Sequence, residues 1–335
     1  MIKVTRIIKE DELFLAEEEL KKGNLVIFPT ETVYGLGANA LDSEAVDKVF
    51  KTKNRASNNP LIVHLKNTNE IDKYAIVNNE IEQKLIDSFM PGPFTLILQK
   101  KEVIPSNVTC GMDTVGIRVP IDKIAHHLLN NLPFPIAAPS ANLSTRPSGT
   151  KVSDIFDEFD GKVPYIIDGG ESRIGLESTV CKVIDGVPTI LRPGFITRED
   201  IIDVIGKCNV SEFVLKEAHG KVESPGMLYK HYSPKTKCLL VDDEKIKEES
   251  KKYQKCIIIG DSKVKNISCY KYYNYGDDLV SVCHNIFTLL READKLNGDI
   301  IIIEATDTHG LGLAIMNRLI RTCGYNYIKR DNENN

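Results

Sequence analysis

The chain has 335 residues, 42% hydrophobic and 27% charged, with 43 Lys plus Arg against 47 Asp plus Glu and a formal net charge of -4. That composition excludes a wholly disordered chain, and its slight acidic excess argues against a protein held to nucleic acid by electrostatics alone. The length suggests about two domains, no run of about 20 apolar residues offers a membrane span, and the charged start Met1-Ile2-Lys3-Val4-Thr5-Arg6 lacks a signal-peptide core, so a cytoplasmic protein is expected.

Residues 11–21 read as an amphipathic helix, followed by the strand Leu25-Val26-Ile27-Phe28 and a polar turn at Pro29-Thr30-Glu31-Thr32. A helix over 43–51 leads through Lys51-Thr52-Lys53-Asn54-Arg55 to the strand Leu61-Ile62-Val63-His64. Further strands are expected over 94–98, 115–119, 136–138, 165–167 and 178–183, with helices over 79–89, 121–130 and 151–158 between them. This is a mixed α/β domain spanning 1–206, closed by a helix over 197–205 and Gly206; its strand order is not legible. Residues 207–236 are polar and aperiodic, which reads as an interdomain linker or a functional loop. Over 237–328, strands at 238–241, 256–259 and 300–304 alternate with helices at 242–253, 277–296 and 310–322, the pattern of a small parallel α/β domain. Residues 329–335 read as a disordered tail. None of the eight cysteines forms a CxxC pair, so they read as reduced, mostly buried hydrophobes.

Several polar residues interrupt this apolar frame. An extended segment would put Lys53 and Arg55 on one side, where two cations can hold phosphate oxygens; solvated surface charge is the more ordinary reading of them. His64 ends a strand, where it either orients a ligand or makes a structural hydrogen bond. Thr32 offers a hydroxyl beside Gly35 and Gly37, which allow close backbone approach. Arg118 alternates with apolar neighbours in Val115-Gly116-Ile117-Arg118-Val119-Pro120 and suits a carboxylate or a structural salt bridge. Ser140-Ala141-Asn142 follows an apolar run, as a ligand contact or as an ordinary turn. Ser178 begins a strand and Arg192 ends another, while Pro225-Gly226-Met227 and His231-Tyr232 lie in the linker. Walker A, HExxH and GxSxG signatures are absent, and Gly310-Leu311-Gly312 is too short for a dinucleotide site.

Taken in order, Pro29 to Gly37, Lys53 to His64, Pro91-Gly92-Pro93, Val115 to Pro120, Ser140 to Asn142, Glu177 to Val180, Leu191 to Gly194 and the 225–234 segment resemble Sua5/YrdC-type L-threonylcarbamoyladenylate synthases of the long form. The resemblance implies a YrdC-like twisted mixed-sheet catalytic domain, an active-site flap over 207–236 that includes Pro225, Gly226, Met227, His231 and Tyr232, and a Rossmann-like C-terminal domain. It implies synthesis of L-threonylcarbamoyl-AMP and pyrophosphate from L-threonine, ATP and bicarbonate or CO2, for N6-threonylcarbamoyladenosine of tRNA. A separate tRNA threonylcarbamoyl transferase consumes the product, so direct tRNA binding is not required. Thr32, His64, Arg118, Ala138 and Ser178 become threonine-side residues; Arg55, Asn59, Thr114, Ser140, Ser148, Arg192 and Tyr232 become ATP-side residues; Lys53, Arg55, Ser140 and Asn142 form the catalytic set. Mg2+ accompanies ATP without assignable protein ligands, and no tightly bound organic cofactor is expected. Ala56, where proline is common, and Thr145 and Gly149 depart from the usual pattern. A noncatalytic YrdC-like RNA-binding or ribosome-associated protein is the competing expectation.

Overall fold

The computed structural model describes residues 4–216 and 232–330, which fall into two units: 4–144 with 148–216, and 145–147 with 232–330. The expected flap residues Pro225, Gly226, Met227 and His231 lie outside the described residues.

The first unit carries β1 (Arg6–Ile8), β2 (Val26–Phe28), β3 (Gly35–Asn39), β4 (Ile62–His64), β5 (Ala75–Ile76), β6 (Phe94–Lys100), β7 (Thr114–Arg118), β8 (Ile136–Ala138), β9 (Tyr165–Ile167), β10 (Thr179–Ile184), β11 (Val187–Arg192) and β12 (Asn209–Val210). They form one mixed sheet in the order β1-β9-β2-β3-β8-β4-β7-β6-β10-β11-β12, with β5 beside β6. Its helices are α1 (Leu13–Lys21), α2 (Ser43–Lys53), α3 (Ile71–Tyr74), α4 (Glu80–Phe89), α5 (Lys123–Asn130), α6 (Val152–Phe159) and α7 (Arg198–Ile205). β4 lies between antiparallel β8 and parallel β7 and is buried along its length, which is why Leu61-Ile62-Val63 is an unbroken apolar run. β3 sits close to its neighbours because Gly37 has no side chain: a Cβ there would stand 2.8 Å from Ile136 and 2.9 Å from Phe28.

Helix α2 determines what Lys53 can do. Asp42 caps its start by accepting from the Glu44 and Ala45 amides, and Asn54 ends it in the left-handed region at φ 52°. Its inward face is Ala45, Val46, Val49, Phe50 and Lys53, so the helical period carries the lysine into the interior. The extended conformation expected for Lys53-Asn54-Arg55 is therefore corrected. Lys53 is helical, only 1% exposed, and separated from Arg55 by a chain reversal rather than by strand alternation.

The second unit contains β13 (Cys238–Val241), β14 (Cys256–Gly260), β15 (Lys271–Asn274), β16 (Ile300–Glu304) and β17 (Tyr327–Ile328), with α8 (Asp243–Ser250), α9 (Leu279–Lys295) and α10 (Leu311–Thr322). All strand pairs are parallel, in the order β15-β14-β16-β13-β17. Val282, Cys283, Ile286, Phe287 and Leu290 make the buried face of α9. Gly312 serves packing, since a Cβ there would meet the Asp307 carbonyl at 2.2 Å. At the carboxyl ends of the strands, Asp242, Asp261 and Glu304 help to line a cleft of about 620 Å³ together with Asp243, Asp277, Asp278 and Asp307.

Two boundaries differ from expectation. β12 pairs with β11 inside the segment read as linker, so the first sheet extends beyond residue 206. Within the segment read as tail, the Arg330 amide donates to Asp242 at 2.8 Å.

Candidate functional site

Burying the Lys53 ammonium requires hydrogen-bond acceptors to replace water. It finds them in the segment Ser140 to Asn142: Nζ donates to the Ser140 and Asn142 carbonyls, at 2.5 Å each, and approaches Asn142 Oδ1 at 3.5 Å. Ser140 Oγ donates to Asn142 Oδ1 at 2.5 Å. Three of the four residues expected to be catalytic, Lys53, Ser140 and Asn142, thus form one cluster, with Lys53 binding protein oxygens. Arg55 closes its own loop, donating from Nε to the Asn59 carbonyl and from Nη2 to the Pro60 carbonyl, both at 3.0 Å. Asn59 is buried, and its Oδ1 meets no hydrogen-bond partner among the described residues.

Main-chain bonds weave the remaining segments together. Tyr34 N donates to the Gly149 carbonyl and Ala141 N to the Tyr34 carbonyl, while Ile174 N and Gly175 N donate to the carbonyls of Glu31 and Thr32. The turn bearing Thr32 is thereby held between the segment bearing Ser140 to Ser148 and the one leading to Ser178. Thr32 is fully buried, with its hydroxyl 2.9 Å from that of Thr30. Ser148 Oγ donates to Glu177 Oε1 at 2.5 Å. Ser178 Oγ lies 2.8 Å from Thr95 Oγ1, and Arg192 donates to the Ser178 carbonyl and hydroxyl from Nη2 at 2.9 and 3.1 Å.

His64 and Arg118 face each other in register across β4 and β7. Both are buried, and Arg118 Nη2 donates to Glu31 Oε1 at 2.6 Å. Burial first, and then the Arg118 charge, push the His64 imidazole down to about 3, so at neutral pH it is an uncharged ring packed edge-on to Phe28. Ala138 ends β8 opposite Ile62, presenting a small surface in this region.

Thr114 and Tyr232 are the two remaining expected ATP-side residues, and Thr114 lines a small cavity with Pro60, whose carbonyl accepts from Arg55. Thr114 begins β7 four positions before Arg118, about 13 Å away along an extended strand. Tyr232 belongs to the second unit, where its ring stacks on Phe287 with centroids 5.2 Å apart and lies under Arg318. The structure also brings in two acids that the sequence reading passed over, Glu31 and Glu177. The available signal was a single charge in an otherwise uncharged stretch, Pro29 to Gly37 for Glu31, and direct adjacency to Ser178 for Glu177.

A mixed sheet with buried guanidinium, imidazole and ammonium groups, followed by a separate parallel sheet, defines a YrdC-like α/β protein with a second Rossmann-like domain. Residues 18–194 match the Sua5/YciO/YrdC family model, described as telomere recombination, and residues 196–324 match the one described as threonylcarbamoyl-AMP synthase, C-terminal domain. The chain belongs to this Sua5/YciO/YrdC family, in its long two-domain form. It is 40% identical over 336 residues to threonylcarbamoyl-AMP synthase of Pyrococcus abyssi (strain GE5 / Orsay), covering 98% of this chain and 99% of that one. It is 39% identical to threonylcarbamoyl-AMP synthase of Bacillus subtilis (strain 168), covering 92% of each. The crystal structure of P. abyssi Sua5 complexed with L-threonine matches with a TM-score of 0.93 at 39% identity, over 97% of this chain and 100% of that one.

Proposed function

We propose that the protein makes L-threonylcarbamoyl-AMP and pyrophosphate from L-threonine, ATP and bicarbonate or CO2, supplying a tRNA threonylcarbamoyl transferase. The observation that carries this reading is the buried Arg118 on β7, in register with neutral His64 on β4, within a chain similar over its full length to threonylcarbamoyl-AMP synthases. Arg118 holds the threonine carboxylate. Neutral His64 and Thr32 suit the substrate hydroxyl, because an uncharged imidazole and a hydroxyl can hydrogen-bond it without adding a net charge.

The ammonium of threonine gives up a proton to solvent, and the neutral amine then forms a C–N bond to CO2, losing a second proton to solvent to give a carbamate. A carbamate oxygen then attacks the α-phosphorus of ATP, forming a P–O bond as the bond to pyrophosphate breaks. Charge develops on the phosphoryl oxygens during that step, and fixed donors lower its energy because they need no reorganisation. Arg55 and Arg192 supply such donors. Lys53 acts by positioning: its bonds to the Ser140 and Asn142 carbonyls set the direction of the hydroxyl and amide that face the nucleotide. Mg2+ arrives with ATP and neutralises phosphate charge as part of that substrate.

The test is incubation of the full chain with ATP, Mg2+, bicarbonate and L-threonine, followed by mass spectrometry. Pyrophosphate and threonylcarbamoyl-AMP are expected in equal amounts, both dependent on L-threonine. Folded protein that yields neither product overturns the proposal.

A further inference from the structure

Glu31 and Arg118 are each 4% exposed, and each carries a polar atom that has not been matched. One Glu31 oxygen accepts from Arg118 Nη2, but Glu31 Oε2 and Arg118 Nε are both buried without a hydrogen-bond partner among the described residues. An ion pair buried only to stabilise the fold returns its desolvation cost when its remaining donors and acceptors are filled. This pair leaves one of each open. Glu31 also lines a cavity of about 220 Å³ with Ser172, whose buried hydroxyl is likewise unmatched, and with Asp122 and Lys123.

The open atoms have opposite demands: Arg118 Nε needs an acceptor and Glu31 Oε2 needs a donor. An α-amino acid carries its carboxylate and ammonium on one carbon and meets both demands at a single location. We infer that Glu31 binds the α-ammonium of the amino-acid substrate while Arg118 takes its α-carboxylate, the protein's internal ion pair opening into two pairs with the substrate. The inference rests on the threonine-activating reading and adds a binding residue to it. The exchange leaves no isolated buried charge, since a zwitterion brings one of each sign to a pair that already balances. It also gives selectivity: a 2-hydroxy acid of the same shape satisfies Arg118 but presents no cation to Glu31.

The experiment compares L-threonine with 2,3-dihydroxybutanoate of matching configuration, in which a hydroxyl replaces the amine, by calorimetric binding to the full chain. Wild type is expected to prefer L-threonine by about tenfold or more, the value of a charge-assisted hydrogen bond. Glu31→Gln should weaken L-threonine by that factor, leave the hydroxy acid within about twofold and leave the KM for ATP unchanged; Glu31→Asp should restore part of the preference. Equal weakening of both ligands in Glu31→Gln overturns the inference, because Glu31 would then only orient Arg118. Should Glu31→Gln fail to fold, wild type decides, and equal affinity for the two ligands overturns it. Wild-type protein that makes no threonylcarbamoyl-AMP would instead remove the activity itself, whereas active wild type with an unaltered preference in Glu31→Gln removes only the role of Glu31.

Discussion

Replacing Lys53 by methionine keeps a flexible stem of similar length and deletes the ammonium. Two main-chain carbonyls, those of Ser140 and Asn142, then lose a donor inside the first unit. A hydrogen bond to a charged group contributes about 1.5–3 kcal/mol, but deleting the lysine also removes the several kcal/mol spent in taking its charge out of water. The two effects oppose each other, and a net destabilisation of about 1–3 kcal/mol is expected, because the stranded carbonyls remain buried. For a unit of this size that lowers the unfolding midpoint by about 2–12 °C. Turnover should fall further than stability, by about 100-fold, since a displacement of about 1 Å in a positioning segment is enough for such a loss. Thermal unfolding followed by circular dichroism and pyrophosphate release at saturating substrates measure the two effects. Lys53→Arg should not rescue turnover, because a planar fork cannot occupy the place of a compact ammonium. Lys53→Met protein with a wild-type midpoint and wild-type turnover would refute the reasoning.

Arg118→Ala should raise the KM for L-threonine at least tenfold with little change for ATP; because it strands the Glu31 carboxylate, it should also cost about 3–5 kcal/mol in urea unfolding, and unaltered threonine kinetics would count against the assignment. His64 titrates at about 3 in the folded protein and near 6.5 when unfolded, so the unfolded chain takes up the proton first as pH falls. Stability is therefore fully present above about 6.5 and declines by about 1.4 kcal/mol per pH unit below it, down to the folded value; urea titrations at pH 7.5 and 5 should differ by about 2 kcal/mol more in wild type than in His64→Asn. Gly37→Ala places a methyl 2.8 Å from Ile136 and 2.9 Å from Phe28, and should cost about 1–3 kcal/mol by overpacking; a midpoint equal to wild type would show that this contact relaxes freely.

The legible parts of the fold were those whose side chains repeat with one period. Strands at Ile136–Ala138, Tyr165–Ile167, Cys238–Val241 and Ile300–Glu304 are short, largely apolar runs flanked by prolines or polar residues, and they lie where that pattern puts them. β3 was missed because Gly35-Leu36-Gly37-Ala38-Asn39 has little side-chain pattern: its place is set by neighbours pressing against glycines, a tertiary cause. β15 is half exposed and lacks a buried run, so its pairing with β14 left no mark on the local sequence. At the site, His64 and Arg118 showed themselves as polar residues within apolar strands. Lys53 was legible too, since it falls seven residues after Val46 and three after Phe50 on the inward helical face, but it was read with the loop that follows instead of the helix that precedes. The bond from Lys53 to Ser140 spans 87 positions and depends on sheet order, which no local pattern encodes.

The acidic cleft of the second unit has a consequence for traffic in small molecules. Open parallel sheets commonly receive nucleotides beyond the carboxyl ends of their strands, where helix amides and cations greet phosphate. Here that position holds Asp242, Asp243, Asp261, Asp277, Asp278, Glu304 and Asp307. Two like charges about 6 Å apart repel by about 3 kcal/mol at an effective dielectric of about 20, and in this cleft carboxylates outnumber the cations Lys263 and Arg330. Its topology is that of sheets that receive nucleotides, while its cleft is lined by an excess of carboxylates.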